Sequence, residues 1–412
     1  MKQVSVTLST YTADVSGVCS ALYELGGMVV IHDPSGCNST YNTHDEPRWY
    51  DMDSLVFISG LSQMDAIMGN DDKFINDIVR AAKELKPRFI ALVRTPIPLM
   101  TGTDFEGIAR IIEKQTQIPV FYFPTSGMHS YVSGAGMALE TVARELVLPT
   151  NANGHFKENG IEIENVSNEL SVADTKKQNQ QKLNQSEQKQ IENTESKQSN
   201  SKIKINILGA TPLDFSVNST LDSIKEFLSK HFEIISTFAM GSSIEDIQKA
   251  GEADVNLVIS TPYVIGTPVK GFAGIIAEKL IDAAWTGKSQ TAYFSVTSSG
   301  KNISRAANGI YIIGESVISQ SLKAAMALKQ GIDATVICPL ETEPEYIGEN
   351  VLLFSSEEEI KAAIAEAKTV IADPIYKTIC ADETNFIALP HEAFSGRIYR
   401  KEIPNLMEWV TI

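Results

Sequence analysis

The sequence is short of cysteine, of basic residues and of long apolar runs, and each shortage removes a class of function. Four cysteines in 412 residues, at positions 19, 37, 338 and 380, are too few for the disulfide framework of a secreted protein. No run of about 18 apolar residues occurs, so nothing reads as a membrane span. The segment Met1-Lys2-Gln3-Val4-Ser5 lacks the basic, apolar and small-residue zones of a signal peptide, and a cytoplasmic location is expected. Lys and Arg number 35 against 51 Asp and Glu, and the formal net charge of −16 argues against nucleic acid, whose phosphates need clustered cations. G-x-G-x-x-G and G-x-x-x-x-G-K-[ST] are both missing, so no nucleotide is expected on this chain.

What is present is an alternation of short β-branched runs with helical patterns. Met28–Ile31, Leu55–Ile58, Phe89–Val93 and Val120–Phe123 read as buried strands with helical segments between them. The pattern restarts at Ile205-Asn206-Ile207-Leu208-Gly209, with strands at Glu233–Ile235, Val255–Ile259 and Ala292–Val296. It restarts again at Gly309–Gly314, with strands at Ala334–Cys338, Val351–Phe354, Thr369–Ala372 and Phe386–Leu389. Strand, helix, strand in this order implies parallel sheets with helices on both faces. Three consecutive Rossmann-like, doubly wound α/β domains are expected, at 1–165, 204–305 and 306–412. Between the first two, residues 166–203 are almost all Gln, Asn, Ser, Lys and Glu, a composition that cannot bury enough apolar surface to fold. That belt reads as a disordered polar linker.

Cys37 ends the apolar run Met28–Ile31 through His32-Asp33-Pro34-Ser35-Gly36, and Cys19 lies one helix upstream. A thiolate at the carboxyl edge of a strand sits where α/β sheets place ligands and clusters. The alternative for either thiol is a small buried hydrophobe. Cys338 and Cys380 are read as core or surface thiols without a role.

Four segments in order carry a further pattern. His32–Cys37 looks like an H-G-P-x-G-C turn with Asp where Gly is usual. Ser59–Gly69 places an acid ahead of an apolar pair and a glycine. Val93–Asp104 looks like S-E-C-P-x-x-L-I-G-D-D, and Thr125-Ser126-Gly127 like the glycine turn that follows. Together they resemble component 1 of nitrogenase and its relatives, a family of nitrogenase subunits, cofactor-assembly scaffolds and tetrapyrrole reductases.

The resemblance implies that Cys37 and Cys19 ligate an iron–sulfur cluster at a subunit interface, while Thr95 stands in place of a third cysteine. Two thiolates cannot complete a cube, so a 4Fe–4S cluster shared between subunits is expected. It also puts Ser260 where the family has a cofactor cysteine and His391 near the cofactor histidine. Serine is a poor soft-metal ligand, and His391 remains a cofactor-binding candidate. Other polar residues at strand ends, His44, Arg94 and His129, could face the same cleft.

The function implied is that of a catalytic-component subunit in a nitrogenase-like reductase. A homodimer or a paralogous component 1 subunit would complete it, and an ATP-dependent iron protein would send electrons through the interface cluster to a small-molecule substrate between the domains. The alternatives are a scaffold on which a metal cofactor is built or carried, and a non-redox binding protein of the same fold.

Overall fold

The computed structural model describes residues 5–8, 12–34, 36, 45–148, 202–260, 309–342 and 351–409. The predicted strand Ala292–Val296 and nearly all of the predicted linker fall outside these residues. Ile203, assigned to that linker, already begins a strand.

Helix α1 (Asp14–Leu22) leads to β1 (Met28–His32), which is buried along its whole length. Such a continuous apolar strand requires cover on both faces, because successive side chains point opposite ways. Val29 and Ile31 enter one apolar cluster with Val18 and Leu22 of α1, while Met28 and Val30 enter another. There follow β2 (Leu55–Ile58), α2 (Gln63–Met68), α3 (Asp71–Leu85), β3 (Ile90–Arg94), α4 (Pro96–Thr101), α5 (Phe105–Thr116), β4 (Val120–Phe123) and α6 (Tyr131–Glu145). The strands are parallel in the order β2-β1-β3-β4. Helix α3 seals the second face with Phe74, Ile75, Ile78, Val79 and Ala82, the spacing of one helical stripe.

On the first face α1 and α6 cross at backbone contact. A Cβ built on Gly134 of α6 would lie 1.8 Å from the Asp14 carbonyl oxygen, so only glycine fits. This crossing sets the start of α6, and with it Tyr131, which is fully buried.

The second sheet holds β5 (Ile203–Ala210), β6 (Phe232–Ala239) and β7 (Val255–Val258), parallel in the order β6-β5-β7. β6 is longer than the expected Glu233–Ile235 because its polar half is buried as well. Ser236 there donates to Asn206 Oδ1 at 2.7 Å. Near the end of β5, Gly209 has φ +86°, and a Cβ there would meet the Ser260 carbonyl oxygen at 2.7 Å. Glycine thus lets the ends of β5 and β7 close on each other.

The third sheet holds β8 (Ile310–Ile313), β9 (Thr335–Cys338), β10 (Val351–Leu353), β11 (Thr369–Ala372) and β12 (Asn385–Ala388), all parallel, in the order β10-β9-β8-β11-β12. Cys380, expected within a helix, instead closes the 3-10 turn Pro374–Ile379. The cores run together between sheets. Leu208, Phe238 and Val258 share a cluster with Val18 and Leu139, and Tyr131 and Val132 share one with Ile313, Ile337 and Tyr376. The protein is therefore a doubly wound α/β fold with three parallel sheets.

Candidate functional site

In a doubly wound sheet the crevice for ligands opens where strand order reverses, at the carboxyl ends of two neighbouring strands. Here those pairs are β1/β3, β5/β7 and β8/β11. Each holds a buried aspartate with a hydroxyl partner.

At the first, Asp33 follows β1 and Thr95 follows β3. Thr95 Oγ1 lies 2.6 Å from Asp33 Oδ1 and 2.9 Å from the His32 carbonyl oxygen, and both side chains are buried. Beside them His32 stacks on Phe74 with ring centroids 3.9 Å apart and bonds Ser59 Oγ through Nδ1 at 2.8 Å. Burial lowers its pKa to about 4, with Asp65 opposing the shift. Asp14, at the start of α1, accepts from the backbone N–H of Ser126 at 2.9 Å and of Gly127 at 2.8 Å. That bond fixes the Thr125-Ser126-Gly127 turn after β4.

At the second, Asp214 lies in the short helix Pro212–Phe215 that follows β5, with Thr211 as its cap. Its carboxylate accepts hydrogen bonds from the hydroxyls of Tyr131, Ser260 and, at 2.8 Å, Thr211. His391 Nε2 lies 3.4 Å from Asp214 Oδ1. Tyr131 comes from α6, Ser260 from the end of β7 and His391 from the loop after β12, so groups attached to all three sheets meet on one carboxylate. Burial raises the Tyr131 pKa well above its usual value, and the neighbouring Asp214 adds to the effect. The backbone N–H of Ala393 donates to His391 Nδ1 at 3.2 Å, so the ring proton sits on Nε2, which is buried near Asp214 without a hydrogen-bond partner among the described residues. The ring itself stacks on Phe394.

At the third, Asp373 follows β11 and accepts from Ser395 Oγ and from the backbone N–H of His391, both at 2.7 Å. Burial raises its pKa, and these bonds work against the rise.

The sequence singles out Ser260 and His391, and the structure brings both to Asp214. It also singles out Cys19 as a ligand, and the structure places that residue on the core side of α1. Cys19 is 0% exposed in the core of the first unit, and desolvation pushes its thiol far above the usual range. Cys37 and His44 fall outside the described residues. Arg94 donates to the carbonyls of Thr125 and Pro124 at 3.0 and 2.9 Å, a structural role. His129 pairs with Glu341 away from Asp214.

Thr95, which stands in place of a third cysteine, has its hydroxyl engaged by Asp33. Among the described residues no group of three or more His, Cys, Asp and Glu is arranged to hold a metal ion, and no helix is long and apolar enough to cross a membrane. Asp214 and Tyr131 are not marked out in the sequence. Thr211-Pro212-Leu213-Asp214 signals only a helix cap, and a buried tyrosine is indistinguishable from core by pattern.

Residues 16–267 match the sequence profile of the nitrogenase component 1 type oxidoreductases. The chain belongs to that family. Solved structures agree on the fold. One, described as nitrogenase Cp1 at pH 5, superposes with a TM-score of 0.59 at 14% identity, over 97% of this chain and 86% of that one. Another, nitrogenase Cp1 at pH 6.5, gives 0.50 at 16% identity, over 94% and 70%. At such identities the likeness is one of fold. Among curated proteins none matches the sequence. This component 1 type chain therefore keeps the family's architecture while its described crevices are lined with carboxylate–hydroxyl pairs.

Proposed function

We propose that this chain is one subunit of a component 1 type reductase, the one that supplies docking surface and proton-bearing groups while the redox metal belongs to the partner side. Electrons would come from a separate ATP-dependent iron protein. No electron-transfer step is assigned to residues of this chain: Cys19 lies in the core, and a threonine bonded to Asp33 stands in place of a third cysteine.

The observation that carries the reading is the meeting of Tyr131, Ser260 and His391 on Asp214. Reduction consumes protons with electrons, and a histidine whose Nε2 lies 3.4 Å from a carboxylate oxygen is placed to pass one on. Docking is supported by an apolar face at the carboxyl edge of the first sheet. Ile67 and Met68 of α2 and Met100 of α4 are 71%, 72% and 86% exposed, and α2 buries none of its side chains. An apolar face of this kind marks a partner contact.

The test is reconstitution with an ATP-dependent iron protein and a paralogous component 1 subunit, followed by ATP-dependent electron consumption. Turnover should need this chain and should fall about tenfold or more in Asp214→Asn, in line with loss of one proton-transfer group. Electron consumption indifferent to this chain rejects the proposal. A second reading, a non-redox binding protein, is favoured by the Asp33–Thr95 bond, which leaves the first crevice polar. It predicts a colourless protein that stays inert in the same assay.

A further inference from the structure

A cleft of about 700 Å³ lies between the amino-terminal end of α6 and the carboxyl ends of β9 and β10. Its size is that of a site for a small organic molecule. Leu340, Leu353, Phe354 and Met128 give it apolar walls, and its polar groups converge at one place.

There Glu341 accepts from Ser130 twice, from the backbone N–H at 3.1 Å and the hydroxyl at 3.0 Å, and pairs with His129 Nδ1 at 2.9 Å. A carboxylate can only accept, so Nδ1 carries a proton and Nε2 is left as the acceptor of the neutral ring. Glu359 adds a second carboxylate, and none of the described lining residues is Lys or Arg. The electrostatic field in the cleft is therefore set by two acids, and a positively charged head that donates hydrogen bonds matches it.

We propose that this cleft binds an amphipathic organic amine, with its apolar body against Leu340 and Phe354 and its ammonium group at Glu341 and His129. This goes beyond the reductase reading and does not rest on it, because binding needs no reductant and no iron protein.

The test is fluorescence titration of the full chain with two probes that share one apolar body, dansylcadaverine with an amine head and dansylglycine with a carboxylate head. Dansylcadaverine should bind saturably with a blue-shifted emission, and dansylglycine about tenfold or more weaker, the difference expected of one charge-assisted hydrogen bond. Ser355→Trp, at an exposed lining position, should fill the cleft and abolish the signal, with its thermal midpoint confirming that it is folded. Glu341→Gln should erase the preference between the probes. Equal binding of the two probes, no saturable binding, or a Ser355→Trp protein that binds like wild type overturns the proposal.

Discussion

Asp33 and Thr95, the two residues that depart from the family pattern at the first crevice, are bonded to each other at 2.6 Å. One replaces a glycine and the other a cysteine, and each answers the need the other creates. A carboxylate buried at 1% exposure requires a donor, and the Thr95 hydroxyl supplies it. Thr95→Val should cost about 2 kcal/mol, the price of an unsatisfied buried acceptor, whereas Thr95→Ser should cost less than about half of that. Urea unfolding checks both, and a neutral Thr95→Val would mean that the pair contributes nothing.

A larger effect is expected at Asp214. Removing its carboxylate in Asp214→Ala strands the hydroxyls of Tyr131, Thr211 and Ser260 at once and should destabilise the protein by about 3–5 kcal/mol. Ser260→Ala removes one donor of three and should cost about 1 kcal/mol. If the two variants unfold at the same denaturant concentration, Asp214 is not the hub.

His32 makes stability depend on pH. Its folded pKa, near 4, lies below the unfolded value near 6.5, so the unfolded chain binds more protons between those limits. Stability is then full above pH 6.5 and declines as pH falls toward 4, by about 3 kcal/mol at most. His32→Gln should flatten that part of the curve. Equal slopes between pH 7 and pH 5 for wild type and variant would remove His32 as the cause.

The apolar face of α2 gives a prediction about assembly. Ile67→Glu with Met68→Glu changes exposed side chains only, so the thermal midpoint should move by less than about 2 °C. Sedimentation with the partner subunit and the iron protein should nevertheless show loss of at least one complex. Unchanged complexes would leave this face without a partner.

Much of the fold is legible in the sequence for a plain reason. Strands covered on both faces, such as Met28–Ile31 and Ile90–Val93, are apolar without interruption, and helices such as Asp71–Leu85 carry a single stripe. β6 is harder to read, since Ser236 and Thr237 are buried polar residues; the Ser236 hydroxyl finds its partner, Asn206, on another strand, and the Thr237 backbone N–H donates to Ser242 in the turn that follows. The site divides the same way. His391 and Ser260 are found because the family resemblance sets them near the positions of its cofactor ligands. Asp214 and Tyr131 are not, because their importance arises only when three sheets converge. Cys19 is singled out by its position one helix ahead of Cys37, and the pattern does not reveal that α1 turns it into the core.

Iron and acid-labile sulfide in the chain purified anaerobically by itself give the most direct measurement of whether its crevices are polar and hold no metal. The expected result is well below one iron per chain, unchanged in Cys19→Ala. About two irons and two sulfides per chain, as in a cube shared by two copies, and their loss in Cys19→Ala, would contradict it.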